Sequence, residues 1–124
     1  LTPAQVQRMI VGPRMHLHLL MSQCYEHEYV ASVGGIFNIA TTLAFFKAYP
    51  ELQVRFEDAQ DVLIKLLKDE RAPNRVESTI LCDAFNLADH WIAIQDTAIL
   101  ARAISYTDKE IVALRKERIS TRDR

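Results

Sequence analysis

Glycine and proline are scarce in this chain, three and four respectively among 124 residues. A sheet protein built on tight turns needs more of both, so the shortage excludes a turn-rich β architecture. Cysteine is nearly absent too. Cys24 and Cys82 form no CxxC pair and both fall in helix-like stretches. Two isolated thiols read as buried apolar side chains of a reduced, cytoplasmic protein, although a disulfide between them is compatible with the sequence. No N-terminal signal pattern is present, and no uninterrupted apolar run reaches the roughly 18 residues of a membrane span. The nearest stretch, Tyr29 to Phe46, contains Ser32, Gly34, Gly35, Asn38, Thr41 and Thr42, which suit protein packing better than lipid. No membrane partner is expected. Because the chain starts at Leu1, further residues are expected upstream of it.

The motifs of common chemistries are missing as well. There is no Walker loop, GxGxxG, GxSxG or HExxH, and no pair of Glu-x-x-His segments such as di-iron bundles carry. His16 and His18 are two residues apart, which points them to different sides of a helix. Cys24, His27 and Glu28 share helical spacing, but a zinc site would need a fourth group such as Cys82 or His90. The reading is therefore no metal, no cofactor and no enzymatic activity.

What the chain does have is an ordinary globular balance, 49% apolar and 25% charged residues with a net charge of −1. Its length suits one domain with a sizeable core. The charge is uneven. Residues 1–108 carry nine Lys/Arg against thirteen Asp/Glu, whereas residues 109–124 carry six against three. The expected organisation is a bundle over 1–108 and a terminal helix with a basic tail over 109–124. Arg115, Lys116, Arg118, Arg122 and Arg124 are the candidate nucleic-acid contacts, although a weakly basic tail on an acidic body is a poor match for phosphate binding.

The strongest positive signal is a repeat. Ile36-Phe37-Asn38-Ile39-Ala40 and Ala84-Phe85-Asn86-Leu87-Ala88 are near-copies 48 residues apart. On a 3.6-residue period Val33, Phe37, Ala40 and Ala44 form one helical stripe, and Leu81, Phe85, Ala88 and Ile92 form another. Two pseudo-equivalent long helices follow, each with an asparagine about 100° from its phenylalanine. Beside the first asparagine lie Ala31, Gly34, Gly35 and Thr42. Beside the second lie Thr79, Asp83 and His90.

Two mid-helix glycines cost about 1 kcal/mol each relative to alanine, which suggests close approach of another helix or subunit. Gly34, Gly35, Asn38 and Thr42 are thus the candidate packing or interface residues, and Asn38 is expected to bond a neighbouring helix. Asp83, Asn86 and His90 form a candidate polar site, in which an aspartate could orient a histidine as a base. The plainer reading makes them, with Asp89 and Asp96, a solvated helix face.

Local signals divide the rest. Thr2, Pro3 and Gln5 read as a capping box opening a helix over about 3–11, which Gly12-Pro13 should stop. A short helix follows from Met15 to Cys24, so a helix-turn-helix is conceivable, but its second helix offers leucines where a recognition helix needs polar groups. Further helices are expected at about 27–48 and 51–70. The latter has a stripe of Leu52, Phe56, Ala59, Leu63 and Leu66, and a charged outer face including the Asp61–Lys65 pair. Asn74 and Glu77 read as a capping box for a helix running on to about Ser105. Thr107-Asp108-Lys109-Glu110 reads as another. The result is an all-α single-domain bundle of five to six helices.

The order of His16-Leu17, Gly35 to Ala40 with Leu43-Ala44, Phe56 to Gln60, Ala84 to Asp89, then Gln95 and Leu100, resembles small helical proteins of proteobacterial prophages and mobile elements. Some of these carry the label of Fis-like regulators. The resemblance covers roughly residues 15–104 and brings no established activity and no catalytic residue to carry over. The expected function is that of a non-enzymatic, homodimeric interaction protein. The alternatives are a DNA-associated regulator using the basic terminal helix, or a weak small-molecule or metal-binding bundle.

Overall fold

The structure, a computed structural model, describes the backbone of residues 1–122 and the side chains of residues 1–109. Among the described residues it is all-α, with five helices: α1 Pro3–Met21, α2 His27–Phe46, α3 Pro50–Asp69, α4 Arg75–Ala93 and α5 Thr97–Arg122. α2 touches each of the other four, and α4 packs on both α1 and α3. By length and composition α2 could cross a membrane. Here it is the central rod of the bundle, with helices packed around it.

Both predicted stripes lie in the core. Val33, Phe37, Ala40 and Ala44 of α2, and Leu81, Phe85, Ala88 and Ile92 of α4, are all buried. The two repeated phenylalanines meet there, edge to face, with ring centroids 6.2 Å apart and planes at 77°. This is the geometry that aligns a positive ring edge with a negative ring face. Phe56, Ala59, Leu63 and Leu66 supply the matching stripe of α3 and are likewise buried. The helices carrying the repeat, 20 and 19 residues long, are not distinguished by length, since α3 and α1 also have 20 and 19.

Three boundaries differ from expectation, two of them because a buried stripe overrides a local signal. Gly12-Pro13 does not stop the first helix: α1 runs through Pro13 to Met21, so no helix-turn-helix exists. An interior proline costs about 3 kcal/mol through a lost N–H and a crowded carbonyl. Val6, Ile10, Leu17 and Leu20 are buried on one stripe spanning that position. Burying a large apolar side chain contributes about 1.5–3 kcal/mol, so four of them outweigh the proline.

The fourth helix ends at Ala93, well short of Ser105. Asp96 is not a solvent-face residue of that helix but the start of α5. Its carboxylate accepts the Ala98 N–H at 2.8 Å, and its carbonyl accepts from Leu100 N–H at 3.0 Å. Thr107 opens no new helix. α5 continues through it because Leu100, Ala103 and Thr107 form one buried stripe.

The helix ends reverse the usual use of glycine. No glycine has positive φ; instead Gln23, Ala48 and Glu70 take left-handed φ of 69°, 58° and 49°. After α2, Tyr49 N–H reaches the Ala44 carbonyl at 2.9 Å and Ala48 N–H reaches that of Phe45 at 3.2 Å. This is a Schellman closure with alanine where glycine is preferred. Glycine at position 48 should therefore stabilise the fold by about 1 kcal/mol, since it removes the left-handed penalty. Gly12, conversely, lies inside α1, and an added Cβ would meet nothing within 4 Å. Gly12→Ala should add about 1 kcal/mol. Both gains are read from chemical denaturation midpoints at unchanged slope.

The α3–α4 turn is fastened by a buried carboxylate. Glu77 accepts Arg71 Nη1 at 2.7 Å and Nη2 at 3.1 Å. It also accepts the Asn74 N–H at 2.9 Å, while Asn74 accepts the Glu77 N–H, completing the predicted capping box. The hydrogen bond from Arg71 holds the Glu77 carboxyl below its ordinary value, with a smaller contribution from the Asn74 amide, against the opposing effect of burial. A lowered native value contributes stability above the unfolded pKa of about 4.3, lost as pH falls through the native value. Thermal melts should therefore show Glu77→Gln less stable at pH 7 by about 1–2 kcal/mol and the gap narrowing below about pH 4. A constant gap across that range would mean the carboxylate charge contributes nothing.

Candidate functional site

The residues singled out by the repeat fall on two different surfaces. On the α2 side, Asn38 is half-buried and its Oδ1 accepts Gln60 Nε2 of α3. Thr41 donates to the Phe37 carbonyl at 2.7 Å and lies 3.5 Å from Gln60 Oε1. Asn38 therefore bonds a neighbouring helix. Thr42, one turn further along, meets α5. Its buried hydroxyl sits 3.2 Å from that of Thr107, 2.9 Å from the Asn38 carbonyl, and Thr107 is 2.8 Å from the Ala103 carbonyl. Two hydroxyl protons serve these three contacts, so one hydroxyl donates across the interface while the other back-bonds its own helix.

The glycines behave unequally. A Cβ on Gly34 would stand 3.6 Å from Leu63 Cδ1, ordinary contact, whereas one on Gly35 would meet nothing within 4 Å among the described residues. Sterics in the described structure demand glycine at neither position. Gly34 instead forms, with Ala31, the floor of a groove of about 520 Å³ between α2 and α3. Ile64 and Leu67 wall it, and Glu57 and Asp61 stand at its rim. The expected Asp61–Lys65 pair is not among the ion pairs of the described residues.

On the α4 side, Asp83, Asn86 and His90 are all exposed. Asn86 does not join the other two. Its Oδ1 accepts Arg14 Nη1 at 3.2 Å, and Asp89 takes Arg14 Nη2 at 2.6 Å. The Arg14 guanidinium also lies 4.8 Å from the centre of the Phe85 ring. The second asparagine thus serves a clasp between α1 and α4. No side-chain hydrogen bond or ion pair of Asp83 or His90 occurs among the described residues, and no group of three His, Cys, Asp or Glu is placed to hold a metal there. The thiols are not buried as expected: Cys24 is exposed in the turn after α1 and Cys82 half-exposed, both free. Cys24 follows the left-handed Gln23, which swings it off the helix. The basic residues Arg115, Lys116, Arg118, Arg122 and Arg124 lie outside the described side chains.

A third surface was not singled out from the sequence. At the C-terminal end of α2, Phe46 touches Phe45 at 6.3 Å and Tyr106 at 5.7 Å between centroids, and Arg102 lies 5.7 Å from its ring. Tyr49 meets Trp91 edge-on at 5.4 Å. Phe45 is 62% exposed, Tyr49 52% and Ile94 61%. The available signal was that Phe45 lies off the Val33–Phe37–Ala40–Ala44 stripe, next to a helix end. Trp91 Nε1 in this cluster is a buried donor with no partner among the described residues, as are His16 Nδ1 and the Tyr25 hydroxyl elsewhere. Burial, then Glu70 and Glu26, push the Tyr25 hydroxyl above its ordinary value.

No protein-family model matches the chain, and neither the curated proteins nor the solved structures searched yield a match.

Arg14 offers a direct test of the clasp. Its pair with Asp89 is about one-third exposed on each side, so solvent screens it. A double-mutant cycle of Arg14→Ala and Asp89→Ala should give a coupling of about 0.5–1 kcal/mol. Arg14→Ala alone should cost more, because the stacking on Phe85 is lost as well.

Proposed function

We propose that this chain is a non-enzymatic interaction protein, an accessory or regulatory factor that works as a homodimer in the cytoplasm. The observation that carries the reading is the aromatic end of the bundle. Phe45 and Tyr49 are more than half exposed, Phe45 beside Phe46, over which Arg102 lies, and Tyr49 beside Trp91. Trp, Tyr and Arg are the side chains that concentrate binding energy at protein interfaces. Aromatic rings and a guanidinium also complement copies of themselves, edge to face and cation to ring, as a two-fold interface requires. A second copy of the chain is therefore the favoured partner. The exposed thiol of Cys24 suits a reducing compartment.

Sedimentation at micromolar concentration tests this. The wild-type chain should sediment as a dimer and Phe45→Glu as a monomer, with the helical circular dichroism of the variant unchanged because Phe45 is exposed. A wild-type chain that stays monomeric, or a Phe45→Glu chain that still pairs, overturns the assignment.

A further inference from the structure

α2 is apolar on nearly every side, yet one strip of it stays open to solvent. Ala31 is exposed, and Gly34, Gly35 and Asn38 are only half-buried. Spacings of three and four place these residues on one face of the helix. Beside them α3 presents Ile64, 55% exposed, and Leu67, 39% exposed, above the buried side chains of Val30 and Leu63. The groove between the two helices runs from Val30 to Asn38 on α2 and from Glu57 to Leu67 on α3. At 1.5 Å per residue it is about 12–15 Å long, or about two to three turns of a helix. Asn38, at its end, is about two turns of α2 from Phe45, so the groove and the aromatic end are separate surfaces.

The floor, the wall and the rim each restrict what fits. On the floor, Gly34 and Gly35 carry no side chain, and a Cβ on Gly35 meets nothing within 4 Å among the described residues, so another backbone can approach α2 closely. The wall of Ile64 and Leu67 offers apolar surface to an apolar stripe. The rim is acidic: Glu57, Asp58 and Asp61 follow one another with no Lys or Arg between Phe56 and Ile64. Glu57 accepts Gln53 Nε2 at 3.1 Å, whereas Asp61 has no side-chain hydrogen bond or ion pair among the described residues. Lys65, one turn beyond Asp61, serves the α4 side, where its charge favours the ionised form of Glu77. The negative charge of the rim is therefore left for a partner to meet. Asn38 Nδ2 also donates to nothing among the described residues, which leaves a donor at one end of the groove.

We propose that the α2–α3 groove docks a basic amphipathic helix of another protein, which lays its apolar stripe between Gly34 and Ile64 and sets Lys or Arg against Glu57 and Asp61. Such recognition uses anchors at i, i+3 or i+4, and i+7, and a groove of this length holds that set. Because the carboxylates stand on the α3 side alone, the basic residues of the partner belong on one flank of its stripe. Their charge fixes the direction in which the helix lies and hastens encounter, while the apolar stripe supplies most of the affinity. The inference does not depend on the aromatic end being a dimer interface.

Selection of binders to the full chain tests this, from a phage-displayed library of helices about four turns long. Each carries a fixed apolar stripe, with its flanking positions varied equally among Lys, Gln and Glu. The wild-type chain should enrich Lys on one flank. Titration with an enriched peptide should shift the NMR amide signals of residues 31–38 and 57–67. Ile64→Glu should weaken that peptide about tenfold and Asp61→Lys about threefold to tenfold. Asp61→Lys should regain affinity for the same peptide with its facing Lys exchanged for Glu. Both substitutions are at exposed positions, so helical circular dichroism should match the wild type. Failure to enrich any helix, enrichment indifferent to flank charge, or binding that neither substitution weakens overturns the proposal. So do shifts confined to residues 45–49 and 91–94, which would seat the helix on the aromatic end. A wild-type dimer that Ile64→Glu dissociates would give the groove to a second copy and overturn it as well. The aromatic interface fails separately, through sedimentation of Phe45→Glu.

Discussion

The packing of Phe37 against Phe85 is the contact on which the rest of the bundle depends. Each ring is wholly buried at the crossing of α2 and α4, and each belongs to a stripe that reaches a further helix. Once α2 and α4 are crossed there, α1 and α3 pack against both, and α5 is left to cover a remaining side of α2. α2 has apolar residues nearly all round, so it must be enclosed; a helix of that kind has no solvent face to spare. Its few polar groups are consequently put to use between helices, Asn38 and Thr41 towards α3 and Thr42 towards α5.

The repeat is therefore symmetric where it is buried and asymmetric where it is not. Both phenylalanines do the same work. The asparagines beside them do different work, because the surroundings of α2 and α4 differ. Asn38 faces the amide of Gln60, whereas Asn86, exposed, steadies Arg14 above the ring of its own neighbour, Phe85. A shared pattern in sequence became a shared core contact and two unrelated edge contacts.

Much of the fold was legible because hydrophobic period and caps act over one or two helical turns. The stripes of α2, α3 and α4 and the caps at Thr2 and Asn74 needed nothing but local spacing. Two of the differences share one cause. Gly12-Pro13 and Thr107-Asp108 are valid local stop and start signals, and each was overruled by a stripe that stays buried across it. The turn at 94–96 was missed for the opposite reason. Asp96 caps without a Glu or Gln three residues on, since Ile99 occupies that place, and no glycine or proline marks the break. The candidate polar site failed similarly. Asp83, Asn86 and His90 share a helix face, but only contact with α1 decided that Asn86 and Asp89 would go to Arg14.

By itself the sequence determined the class of fold, the stripes that form its core and the caps of α1 and α4, because these follow from periodicity and from the backbone groups that every helix end leaves unpaired. Only the tertiary structure decided where a helix could tolerate a proline and which alanine would close a turn left-handed. It also decided which side of each asparagine would be polar, and that the end of α2 would gather exposed rings. These outcomes depend on what lies across the interface, from residues distant in the chain. Spacing along one helix carries no information about them.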